Sequence, residues 1–175
     1  MIYELTLKGT QFIAAREALV KVPYRDGWQD KAKTIPRWSK GYGGPAGEND
    51  PPLTDEEGFD LLKLKVKEYA GYVNNQLKGA LVTQFMFDAL VSLEYQSGPN
   101  EKETLFTAIQ KGDMIWARDE ILTIKQKISA GHARRRRQEA DLFLRGNYGD
   151  LSTILVWETA DTSPALMKRA PMPQL

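Results

Sequence analysis

Two tracts, Glu17-Ala18-Leu19-Val20-Lys21-Val22-Pro23-Tyr24-Arg25-Asp26 and Trp38-Ser39-Lys40-Gly41-Tyr42-Gly43, decide how the sequence is read. Eight residues separate the carboxylates Glu17 and Asp26. Glu17 closes an amphipathic segment, whereas Asp26 follows Pro23 and Tyr24 and precedes Gly27, in turn-forming sequence. A helix end can therefore hold one carboxylate while a loop or hairpin carries the second. That is the arrangement glycosidic bond cleavage needs: one carboxylic acid protonates the leaving oxygen, and the other serves water or the developing positive charge. On spacing alone, two solvated carboxylates near a turn remain the commoner meaning of such a pair.

Outward from this pair, residues 6–18 predict a short helix, with Thr6 as N-cap and Phe12, Ile13 and Ala14 as apolar surface. Glu17 lies one turn after Ile13, at the C-terminal end of that helix. From Pro23 to Pro52, glycine, proline, charge and the aromatics Tyr24, Trp28, Trp38 and Tyr42 replace helical periodicity. This predicts a small irregular β-lobe of hairpins.

Thr54-Asp55-Glu56-Glu57 is a capping box that opens the clearest helix, about 55–76, along which Phe59, Leu62, Val66, Tyr69 and Val73 recur. Thr83 caps an apolar helix to about Tyr95, stopped by Gly98-Pro99-Asn100. Further helices are expected from Thr104 to Lys111, from Asp113 through Ile121, and from about Ala133 to Arg145, ending at Gly146. Leu151 to Trp157 reads as a strand or a packed strap, and the proline-rich end beyond Thr162 as mobile. No internal repeat is present.

Glu17, Tyr24-Arg25-Asp26 and Trp38-Ser39-Lys40-Gly41-Tyr42-Gly43 together resemble the catalytic signature of phage-type lysozymes, glycoside hydrolase family 24. The resemblance continues through Leu53-Thr54-Asp55-Glu56-Glu57 and Gln84 to Ser92, and ends with Gly131, Arg134, Arg135, Arg136 and Glu139. It covers roughly residues 5–145. Each piece is weak alone; their order along one chain is specific. The resemblance implies a mainly helical α+β fold of lysozyme-like, two-lobed form. A catalytic domain would span 1–149, with a β-lobe at about 20–53 forming one cleft wall. A connecting helix at about 55–76 and a helical lobe at about 77–149 would follow, then a C-terminal extension at 150–175.

By that resemblance Glu17 is the general acid, Asp26 the second carboxylate, and Ser39 the hydroxyl that positions water or the aspartate. Asp30 competes for the second role but breaks the spacing and lacks the preceding Tyr-Arg pair. The family usually carries threonine where Ser39 stands, closer to the aspartate; here twelve residues intervene. Thr34-Ile35 offers a rival match, and register against Gly41-Tyr42-Gly43 favours Ser39, with a longer hairpin tip between. Tyr24, Tyr42 and Gln96 are the expected substrate-binding residues, Gln96 being equally readable as a polar residue at a helix C-terminus. The implied activity is hydrolysis of the β-1,4 bond between N-acetylmuramic acid and N-acetylglucosamine for host-cell lysis, with inversion. Two alternatives stay open: a lytic transglycosylase using Glu17 alone, and a non-catalytic wall-binding or virion structural protein.

Composition bounds the rest. A length of 175 residues suits one domain or two small lobes, and a hydrophobic fraction of 42% supports a core. Net charge of +1 argues against dedicated nucleic-acid binding. The four arginines at 134–137 point around a helix and form no single stripe; some should pair with Glu139 or Asp141. With no cysteine and one histidine, His132, thiolate metal sites, multi-histidine sites and a Ser-His-Asp triad have no basis, and His132 reads as a helix-start residue. No metal or organic cofactor is expected. No run approaches the roughly 20 apolar residues of a membrane span, and the N-terminus lacks a signal-peptide pattern. By the family resemblance, the expected partner is peptidoglycan glycan, met in the periplasm by a monomer made in the host cytoplasm and released through a holin.

Overall fold

A computed structural model describes residues 2–25, 38–98 and 102–173. Among these residues are six α-helices, one 3₁₀ turn and five strands, the expected mainly helical α+β architecture. They form two units. One, the sheet unit, comprises Ile13–Lys65 and Asp150–Leu175; the other, the helical unit, comprises Met1–Phe12 and Val66–Gly149.

The sheet unit holds β1 (Ala18–Arg25), β2 (Trp38–Gly41), β3 (Gly44–Pro45), β4 (Thr153–Trp157) and β5 (Lys168–Pro171) in the order β3-β2-β1-β4-β5. Neighbours run antiparallel except β1 and β4, which pair in parallel with Leu19 opposite Val156. Parallel strands need a long crossover, and here it is the whole intervening chain. The alternation Ile154-in, Leu155-out, Val156-in marks β4 as a half-buried strand. Beyond Thr162 the expected mobile end is replaced by a 3₁₀ turn at Pro164–Leu166 and by β5. Trp157 Nε1 donates to the Ser163 carbonyl at 2.9 Å, and Met172 N donates to the Ser152 carbonyl at 2.8 Å. The polar residues of β5 hide its strand character, yet charge is what keeps an edge strand from pairing further.

The first helix, α1 (Leu7–Ala14), stops short of the expected residue 18. Strand pairing wins from Ala18 onward because Leu19 and Val20 are buried, Leu19 paired with β4 and Val20 flanked by both β2 and β4. The long helix α2 (Asp55–Leu77) starts in the sheet unit and ends in the helical one. Its capping box is reciprocal: Glu57 N donates to Thr54 Oγ1 at 3.1 Å and Thr54 N to Glu57 Oε2 at 2.7 Å. Gly58 is required where α2 meets β1, since a Cβ there would lie 2.4 Å from Leu19 Cδ1.

The helical unit adds α3 (Gln84–Ser97), α4 (Glu103–Gln110), α5 (Met114–Thr123) and α6 (Ala130–Arg145). Thr83, Asp113 and Ser129 each accept a backbone N–H of the first turn they cap. Ser129 explains why α6 begins before residue 133, and His132 sits at that helix start with Nδ1 2.8 Å from Ser129 Oγ. Gly98 ends α3 at φ 77° and Gly146 ends α6 at φ 69°, a region where a side chain is strained. Phe87, Ala89, Leu90, Val91 and Leu93 of α3 are fully buried and form the core with Leu142 and Phe143 of α6.

Charge is also buried in this unit. Glu139 accepts from Ser92 Oγ at 2.7 Å and Arg135 Nε at 3.0 Å, and its other oxygen lies 3.0 Å from Arg136 Nη2. Two of the four arginines thus pair with Glu139, while Arg134 and Arg137 are exposed. Asp141 pairs with Arg145 and Asn147 instead. Asp88, also buried, accepts from Tyr148 Oη at 2.7 Å, Gln84 Nε2 at 3.0 Å, and the amide and hydroxyl of Thr6.

Candidate active site

Glu17 occupies the junction of α1 and β1. Its N–H and that of Arg16 both donate to the Ile13 carbonyl at 3.0 Å, which folds the chain off the end of α1 before it extends. The side chain is half-buried. One residue later β1 begins, and it leads directly to Asp26, which lies outside the described residues. Thr34, the rival hydroxyl, lies outside them as well.

Strand pairing positions the next candidates. Tyr24 of β1 stands opposite Ser39 of β2, and Arg25 opposite Trp38, with the Arg25 guanidinium 5.4 Å from the Trp38 ring centroid. Directly opposed side chains share a sheet face, so Ser39 and Tyr24 sit together, two residues before Asp26 in the chain. Ser39 is completely buried and Tyr24 half-buried. A register shift between Val20 and Tyr24 coincides with Pro23, which lacks an amide proton for the ladder.

Tyr42 sits in the turn from β2 to β3. The turn needs glycine on both sides, at Gly41 with φ 65° and Gly43 with φ 74°. From α2, Lys65 Nζ donates to the Gly43 carbonyl at 2.9 Å and fixes the turn. Burial, then the charges of Asp55 and Glu17, push the Tyr42 hydroxyl well above the ordinary phenol range. The phenol, Asp55 and Glu17 therefore share one electrostatic environment, where Tyr42 stays a neutral hydroxyl. Lys21 of β1 supplies the compensating charge, 2.9 Å from Asp55 and 3.9 Å from Glu158.

Gln96 belongs to the helical unit, near the end of α3. Its Oε1 accepts from Arg136 Nη2 at 2.8 Å, so the Arg136 guanidinium is shared between Gln96 and Glu139. Lys21, Asp55 and Lys65 did not stand out in the sequence as groups near Tyr42. Asp55 was readable only as a helix-start acid, and the pairing of Lys21 with it depends on how β1 meets α2. Among the described residues, no group of three or more His, Asp or Glu side chains could hold a metal ion, and no helix is long and apolar enough to cross a membrane.

A half-buried carboxylate at a helix–strand junction precedes a hairpin with a buried hydroxyl in a mainly helical α+β chain, and comparison with known proteins assigns the class. The phage lysozyme family model matches residues 14–139, and the chain belongs to that family. The endolysin of Bacillus phage B103 is 32% identical over 151 residues, covering 82% of this chain; the chain spans 55% of that relative's length. An endolysin from Escherichia coli O157:H7 phage FAHEc1 superposes with a TM-score of 0.69 at 26% identity, over 85% of this chain and 98% of that one. The muramidase domain of SpmX from Asticcacaulis excentricus shares the fold, with a TM-score of 0.68 at 24% identity over 81% of this chain and 98% of the domain. The fold is lysozyme-like.

Proposed function

We propose that the chain is a peptidoglycan hydrolase, an N-acetylmuramidase that cleaves the β-1,4 bond between N-acetylmuramic acid and N-acetylglucosamine. The observation that carries the reading is Glu17 at the α1–β1 junction within the family match, directly before the strand that leads to Asp26. Glu17 donates a proton to the glycosidic oxygen. Asp26 stabilises the oxocarbenium-like transition state or activates water, and Ser39 orients that water or the aspartate. Tyr24, Tyr42 and Gln96 bind substrate, and the neutral Tyr42 hydroxyl can donate to a sugar or carboxylate oxygen. Residues 1–149 are the catalytic part by this reading. The 150–175 extension supports it by bordering β1 with β4. Delivery through a holin and action as a monomer belong to the same reading.

Glu17→Gln is the test. General acid catalysis contributes about 10²–10⁴-fold, and an amide cannot supply the proton. The variant should keep the wild-type circular dichroism spectrum and melting temperature while losing at least a hundredfold in clearing chloroform-treated Gram-negative cells. Wild-type clearance by the folded variant overturns the assignment. Ser39→Ala should also cut clearance severely while Thr34→Ala stays near wild type; the reverse ranking moves the hydroxyl role to Thr34.

A further inference from the structure

Between α4 and α5 the helical unit carries an open groove of about 460 Å³, within the range that small ligands occupy. Glu103, Thr104, Thr107 and Ala108 line it from α4, Lys111 from the C-cap of that helix, and Asp113 and Trp116 from the start of α5. None of these belongs to the proposed catalytic or substrate-binding set. Thr104, Thr107 and Lys111 follow one another at three and four residues, so they form one stripe along α4.

Trp116 is the unusual member. It is 41% exposed, although a few residues on Ala117 and Ile121 of the same helix are completely buried. Across the groove stand two short threonines, Ala108, a lysine and the Glu103 carboxylate, while Asp113, at the start of Trp116's own helix, accepts the Trp116 backbone N–H at 3.0 Å. The threonines leave the space unfilled, and the wall offers hydroxyl and ammonium donors beside hydroxyl and carboxylate acceptors. A flat aromatic face opposite mixed donors and acceptors matches a sugar ring, which has an apolar C–H face and a hydroxylated rim. An apolar peptide would offer nothing to the Thr107 hydroxyl or the Lys111 ammonium. One lysine against two acids gives no net positive field for a phosphate or carboxylate ligand.

We propose that the α4–α5 groove is a second glycan site that holds one N-acetylated aminosugar segment of a polysaccharide against Trp116. This deepens the peptidoglycan reading and rests on it for the polymer's identity. A second contact on one polymer raises affinity for the intact wall without changing turnover at the catalytic carboxylates.

The probe is chitotetraose, the β-1,4 tetramer of N-acetylglucosamine, titrated into the ¹⁵N-labelled full chain. The Trp116 indole resonance, assigned with Trp116→Phe among the four tryptophans, should shift saturably. Thr107→Arg, which fills the groove from a partly exposed position, should abolish that shift. Thr107→Arg and Trp116→Ala should each weaken binding to intact peptidoglycan sacculi about tenfold, the loss of one aromatic contact. Both should hydrolyse short soluble muropeptide oligomers at the wild-type rate. An indole resonance unmoved by chitotetraose, or variants that bind sacculi as wild type does, overturns the proposal. Failure of the hydrolase reading shows separately, as no reducing ends released from sacculi by the wild-type chain.

Discussion

The two units are held together by opposite means. The sheet unit puts apolar side chains inside, Leu19, Ile154 and Val156, and keeps its ion pairs, Lys21–Asp55, Lys40–Asp50 and Lys168–Glu158, at partly or largely exposed margins. The helical unit takes charge into its interior. Glu139 with Arg136, and Glu94 with Lys102 at 2.9 Å, have side chains at most 3% exposed. Margin pairs gain little, whereas buried pairs cost desolvation and are tolerated only when well satisfied. Burial dominates both members of the second pair, raising Glu94 above and lowering Lys102 below its ordinary range, with each partner opposing the shift. Among the described residues neither Glu94 Oε1 nor Glu139 Oε2 has a hydrogen-bond partner, so each buried carboxylate keeps one oxygen unsatisfied. Helices can carry such groups because their backbones need nothing from neighbours; a five-strand sheet spends its side-chain positions on apolar contact.

The comparison breaks most readily at Lys102. Lys102→Met leaves Glu94 buried without its cation and should destabilise by roughly 3–5 kcal/mol in urea unfolding. The double variant Glu94→Gln/Lys102→Met should recover most of that loss or exceed wild type. If single and double variants are equally unstable, the pair is structural in a way charge does not explain. The sign of pH dependence follows from the same groups. Because the folded-state value of Glu94 is raised above 4.5, its contribution is complete below that ordinary value and is lost as pH rises through the raised one. Lys102, lowered from 10.5, contributes fully above that value and loses its contribution as pH falls through the lowered one. Stability of the double variant should therefore vary less with pH than wild type above the ordinary carboxylate range.

In the sheet unit the apolar interior is the sensitive part. Ile154→Ala empties a site beside β1 and should cost about 2–5 kcal/mol, read as a lower urea midpoint with unchanged slope. Thr54→Ala, which removes one half of the α2 capping box, should cost about 1 kcal/mol. Lys168→Ala, at an exposed margin pair, should unfold with the wild-type midpoint. A large loss there would mean that the sheet's edge charges matter as much as its interior.

Helix boundaries were legible wherever one residue type sets them. Thr54 with Glu57, Thr83, Asp113, Gly98 and Gly146 act on neighbours three or four residues away, so sequence suffices. Ser129 was missed because Ala130-Gly131 reads as a weak helix start. The sheet was legible only where partners are close in the chain, as for β1 and β2. Strand β4 pairs with β1 across more than a hundred residues, and Leu151–Trp157 alone suits a strap as well as a strand. The charged β5 gives no strand signal until β4 is beside it. At the candidate site, residue types and order were readable from the family pattern. The opposition of Tyr24 to Ser39 and the charges around Tyr42 needed the register and the packing of α2.

The central claim, hydrolysis by Glu17 with Asp26, is tested most directly by the products. Purified sacculi are digested to completion by wild type, the muropeptides weighed by mass spectrometry, and the initial anomer read by NMR; Asp26→Asn is assayed alongside. The account predicts free reducing ends that first appear as the α-anomer, because inversion places water between carboxyls roughly 6.5–9.5 Å apart, together with a nearly inactive Asp26→Asn. Predominantly 1,6-anhydro products, with Asp26→Asn retaining most activity, would contradict it and assign the bond cleavage to Glu17 alone.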